Sequence, residues 1–81
     1  MKIKTPNTTP FFVLLGKRSL NSNTVVFGGN YSRKRCERMV ANPYVGILAG
    51  TARIEEFASR AEAWEAHTDG LNIAHGRVDF P

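Results

Sequence analysis

"TARIEEFASRAEAWEAH", residues 51–67, is the stretch whose reading decides the fold. Ile54, Phe57, Ala58, Ala61 and Trp64 fall at i, i+3, i+4, i+7 and i+10, one stripe of a helix, and Glu55, Glu56 and Glu62 fall on other faces. Alanine is frequent, and glycine and proline are absent until Gly70, which then stands as the residue after a helix end at Asp69. This pattern predicts one long helix. A competing signal lies inside it: Ser59 followed by Glu62 has the spacing of a capping box. On that alternative a strand runs to Phe57 and the helix begins at Ser59. The single helix is the preferred reading.

Before this segment, "FFVLLG" (11–16) is an apolar run bounded by Pro10 and Gly16, and "TVVFGG" (24–29) is rich in β-branched residues. Both read as strands, pairing as a hairpin across the polar loop "KRSLNSN" (17–23). Residues 1–9 hold turn formers and read as a loose arm. Ser32 is an N-cap residue for a short helix whose apolar face is Cys36, Met39 and Val40 and which ends near Ala41. Asn42 precedes Pro43 and stops it. "YVGILAG" (44–50) reads as a third strand, with a short helix capped by Asn42 as the alternative. The tail "LNIAHGRVDF" (71–80) alternates and reads as a strand or a hairpin around Gly76. The expected class is α+β: a single domain over 1–81, with a small antiparallel sheet made of the N-terminal hairpin plus later strands, packed with two helices on one face.

Size and composition narrow the function. A chain of 81 residues supports one domain with a modest core, burying roughly 60–65% of its unfolded surface. It is 42% hydrophobic and 22% charged, as a folded soluble domain is. Its single cysteine, Cys36, forms no intrachain disulfide and suits a reducing compartment, so the cytoplasm is the expected location. One cysteine with His67 and His75 does not complete a four-ligand zinc site, and no metal or cofactor is expected. No apolar run approaches the roughly 20 residues that span a bilayer, and the run 11–15 is too short for a signal peptide, so no membrane partner is expected.

The charge is polarised. Residues 1–42 carry eight Lys/Arg against one Glu, a net +7, and residues 43–81 carry three Arg against six Asp/Glu, a net −3. The basic half contains "FGGNYSRKR" (27–35), in which Arg33, Lys34 and Arg35 occupy the first turn of the expected helix. Cations there oppose the helix dipole by a few tenths of a kcal/mol each, a cost that an anion docked at the same place reverses. The ordinary alternative is a solvated face on which Glu37 pairs with Arg33 or Lys34. Lys34 and Arg38 lie opposite the Cys36 face, one turn apart. Tyr31 beside them is an aromatic that could stack on a base or pack under the turn, and Lys17 and Arg18 add charge from the hairpin loop. The expected binding residues are therefore Tyr31, Arg33, Lys34, Arg35, Arg38, Lys17 and Arg18.

Catalytic signals are absent. No GxxxxGK[ST], GxGxxG, GxSxG, HExxH or Cys-x-x-Cys occurs. Cys36 falls on the apolar face of its helix, as structural cysteines do, and the glutamates of 55–65 read as the wet side of a helix. No RNA-recognition or zinc-knuckle signature occurs either. The expectation is a non-enzymatic binding protein that occupies a host macromolecular surface, a protein or nucleoprotein complex. Phage and mobile elements make small basic proteins of this kind as inhibitors of nucleic-acid-handling or defence machinery. Direct, weakly specific DNA or RNA binding through 33–38 is the alternative.

Overall fold

Phe11–Gly16 (β1) is the strand on which the other elements assemble. The computed structural model describes residues 9–74 and residue 78; the expected arm falls mostly outside these residues, as do His75 and the turn expected around Gly76. β1 pairs antiparallel on one side with Val25–Asn30 (β2) and on the other with Arg53–Phe57 (β3), giving the order β2-β1-β3. β1 is central because its apolar residues are not confined to alternate positions. Phe11, Val13 and Leu15 point to one face and Leu14 to the other, and all four are buried. The hairpin register runs from Phe12↔Asn30 to Gly16↔Val25, with a bulge between Leu14 and Leu15. The outer pairing runs from Phe11↔Phe57 to Leu15↔Arg53.

Helices cover both faces of the sheet. Arg33–Ala41 (α1) lies on the Leu14 face and crosses all three strands. Its one fully buried residue, Cys36, directs its Sγ toward the Phe12 carbonyl at 3.8 Å. Arg60–Ala66 (α2) and Thr68–Ile73 (α3) lie on the opposite face, where Ala63, Leu71 and Ala74 join Phe11, Val13, Leu15, Val26 and Val78 in the main core. Each large side chain buried there contributes about 1.5–3 kcal/mol. The expectation of two helices on one face is thus corrected to one helix on one face and two on the other. With apolar residues on both sides of β1, a single covered face would have left Leu14 and Phe27 in water.

The segment 51–67 is not one helix. It is β3, then a helix capped at Ser59, whose side chain accepts from the Glu62 amide at 3.2 Å. The capping-box alternative wins because β1 needs a second partner strand, and pairing there satisfies the backbone of β1 on its second side. The helical stripe consequently dissolves: Ala61 is exposed, Ala63 is buried, and Trp64 is only half-buried, with the Arg60 guanidinium 5.5 Å from its ring centre.

Three smaller expectations also change. Residues 44–50 are not a strand: Asn42 accepts from the Tyr44 amide at 2.9 Å and caps a 3-10 turn over Pro43–Val45, and Gly46 and Gly50 take φ of 89° and 83°. A strand would have required extended backbone at both glycines. Gly70 is no helix terminator. It lies inside α3, where a Cβ would meet Val26 Cγ2 at 2.5 Å, so its role is close helix–sheet approach. The tail's first residues, Leu71–Ile73, are helical, and Val78 forms an isolated parallel bridge to Gly29.

Candidate functional site

The basic residues of α1 start from the cap that fixes the helix. Asn30 Oδ1 accepts from the Ser32 amide at 2.8 Å, and Ser32 Oγ accepts from the Arg35 amide at 3.4 Å. Gly28 and Gly29 precede the helix in sequence but do not form a turn into it. They are buried in β2, where a Cβ on Gly29 would meet the Phe11 ring at 2.7 Å. The connection between β2 and α1 is only Tyr31–Ser32, and it contains no glycine. What remains is the side-chain face.

With Cys36 pointing at the sheet, a 100° step per residue sends Lys34 and Arg38 directly outward. Arg35 flanks them on one side and Arg33 on the other, beside Glu37 and Val40. Arg33, Lys34, Arg35 and Arg38 are all exposed. Arg33 pairs with Glu37 at 3.4 Å, a surface contact worth about 0.3–0.5 kcal/mol. Lys34, Arg35 and Arg38 make no ion pair among the described residues. The first turn of α1 holds no acidic residue, so the cations there oppose the dipole without local compensation.

The other expected binding residues stand elsewhere. Tyr31 is half-buried, its ring edge-to-face with Phe11 at 5.0 Å between centres, on the sheet face opposite α1. Lys17 and Arg18 lie past the far end of β1, separated from the start of α1 by the length of that strand. The loop there is fixed by Ser22 Oγ, which accepts from the Arg18 and Ser19 amides, and by Thr51 Oγ1, which accepts from the Lys17 amide at 3.1 Å. Arg18 lies over the Phe27 ring at 5.5 Å.

Arg18 also borders a feature that sequence reasoning did not single out. A cleft of ≈ 530 Å³ opens at the end of the sheet, with Leu15, Val26 and Ile73 as apolar lining and Arg18, Arg53 and His67 as polar groups. Arg53 donates to Glu55 at 3.1 Å, and the other oxygen of Glu55 accepts from His67 Nε2 at 2.9 Å. Arg53 and His67 were missed because both were placed on one helix. The signal that would have found them is the Ser59–Glu62 cap, which makes 53–57 a strand.

The chemistry available to Cys36 is slight. Burial pushes its thiol up, Arg33 pulls it partly back and Glu37 adds to the rise, so it is held as a protonated thiol. His67 bonds Glu55 across the sheet from it, so these two groups do not form a nucleophile–base pair. Among the described residues, no group of three or more His, Cys, Asp or Glu is gathered for a metal ion, and no helix is long and apolar enough to cross a membrane. In comparisons with protein families, curated proteins and solved structures, nothing matches this chain.

Proposed function

We propose that this chain is a non-catalytic binding protein that docks the outward face of α1 on an anionic patch of a protein or nucleoprotein complex. The observation that carries the reading is the placement of Lys34 and Arg38: exposed, one turn apart, opposite the buried Cys36, and without an ion pair among the described residues. The helix is held by a side-chain cap and by Cys36 packing, so its basic face is presented on a fixed scaffold. A bound anionic surface would remove the dipole cost of the 33–35 cations. Acting stoichiometrically, such a protein blocks the surface that it covers. Inhibition of nucleic-acid-handling or defence machinery in the cytoplasm, by a phage or mobile-element product, is the biological setting that fits a small basic chain with one cysteine. Direct binding of DNA or RNA is the second reading, favoured by the three consecutive cations at 33–35.

The test is the pair Lys34→Glu with Arg38→Glu in the full chain, used as bait for proteins and nucleic acid of the host. Binding should be lost while the fold keeps most of its stability: Lys34→Glu suits the first turn of α1, whereas Arg38→Glu puts an acid in its last turn, and the two effects, about 0.3–1 kcal/mol each, oppose one another. An affinity within about threefold of wild type at about 0.1 M salt, where charges still act over roughly 10 Å, rejects the docking face. Binding to naked nucleic acid that weakens by orders of magnitude between about 50 and 200 mM salt selects the second reading over the first.

A further inference from the structure

Among the described residues, β3 is an edge strand with one free side. At the opposite edge of the sheet, β2 is met at Gly29 by Val78, whereas β3 pairs with β1 alone among the described residues. Unpaired edges invite another strand, and natural chains usually guard them with repelling charge. β3 is charged, but its pattern does not repel a copy of itself in every register.

Two copies of a strand pair antiparallel about a two-fold axis, and the residue on that axis faces its own copy. Centring on Arg53, Glu55 or Glu56 sets like charges against each other. Centring on Ile54 sets Ile54 against Ile54 on the α1 face and Arg53 against Glu55 of the other copy, twice, on the opposite face. Parity is consistent with this. Arg53 and Glu55 share a face because they pair with Leu15 and Val13, and Ile54 shares the other face with Leu14. The surroundings also suit an apolar centre. A groove of ≈ 310 Å³ runs between α1 and β3, where Val40, Ala52 and Ile54 meet Arg33 and Glu37. Val40 is 40% exposed there, and Ile54 is only partly covered. A two-fold through Ile54 brings two such grooves together.

We propose that the chain forms a symmetric dimer by antiparallel pairing of β3 with β3 about Ile54, giving a continuous six-stranded sheet with both copies of α1 on one face. The interface is isologous, so each contact occurs twice. Lys34 and Arg38 point away from it, so it stands independently of the docking reading above. If both hold, the dimer presents two basic faces side by side. A five-residue edge with a small apolar centre belongs at the low end of interface size, below about 1,200 Å². The expected dissociation constant is therefore on the order of micromolar.

The experiment is sedimentation equilibrium of the full chain from about 1 to 100 μM, a range that brackets a micromolar constant. Wild type should pass from the 9.0 kDa monomer to twice that mass. Arg53→Glu and Glu55→Arg should each weaken self-association about tenfold or more, since two favourable pairs become two repulsive ones. Mixing the two variants should restore dimers, because acidic residues at 53 and 55 of one copy then meet basic residues at 55 and 53 of the other. That rescue is specific to the register and does not arise from a folding defect. Wild type that stays monomeric throughout overturns the proposal, whether or not β3 accepts a strand from another protein. Dimers that persist in both variants and in Ile54→Lys, or a mixture that stays monomeric, overturn it equally.

Discussion

His67 Nε2 stands 2.9 Å from Glu55 Oε1 and ties the turn between α2 and α3 to the middle of β3. A carboxylate only accepts, so Nε2 carries the proton and donates it. The His67 ring also meets Phe57 edge-to-face at 5.7 Å. Both partners of the hydrogen bond are partly exposed, at 25% and 35% of their side chains, so solvent screens much of the pair. His67→Ala should cost about 1 kcal/mol of unfolding free energy, read by urea denaturation, and His67→Gln, which keeps a donor, should cost less.

The division of 51–67 has a test whose sign differs between the two architectures. As the cap of α2, Ser59 supports the Glu62 amide, and Ser59→Ala should destabilise by about 0.5–2 kcal/mol. In the middle of a continuous helix the same change would stabilise by a few tenths, because alanine is the better helix former. Thermal unfolding of the single variant distinguishes them.

Gly70→Ala sets local propensity against packing. Within α3 the alanine gains up to about 1 kcal/mol in helix propensity. Its Cβ would stand 2.5 Å from Val26 Cγ2 and 2.9 Å from Val26 Cβ, and a β-branched side chain on a strand has little room to turn away. Overpacking of this kind costs about 1–3 kcal/mol, so the variant should be the less stable protein. An increase in melting temperature would show that α3 lifts off the sheet more easily than this contact implies.

Cys36 should resist alkylation by iodoacetamide in the native protein at pH 8 and react at once in denaturant. Its folded pKa is raised by burial, so the folded state favours the protonated thiol. Its contribution is complete below the unfolded pKa, about 8.5, and is lost as the pH rises through the folded value. Wild type should therefore lose stability relative to Cys36→Ala only above about pH 8.5. A difference that stays constant from pH 7 to 10 would contradict the shift.

Much of this fold follows from local chemistry alone. The runs 11–16 and 24–29 are apolar and β-branched on both sides, and they form the central hairpin to within a residue. Ser32 and the Asn42–Pro43 pair bracket α1, because a side-chain acceptor and a residue barred from helical backbone act within a few residues of themselves. The outward direction of Lys34 and Arg38 follows from those bounds and from Cys36 as the buried residue. Tertiary structure decided the rest. Residues 53–57 satisfy a helical period and a strand equally; the Ser59 cap marks a break after them, and the open side of β1 makes them a strand. Gly29 and Gly70 resemble punctuation in the chain, but they are spaces left for Phe11 and Val26, whose positions depend on elements far away in sequence. Tyr31 adjoins the basic run in sequence yet belongs to the other face of the sheet, because the chain passes from β2 to α1 across the sheet's edge. Lys17 and Arg18 are parted from α1 for a similar reason: a strand separates its two ends by its own length, about 20 Å for six residues. Short-range signals set where elements start and stop, whereas the meeting of faces depends on strand pairing that no window of neighbouring residues contains.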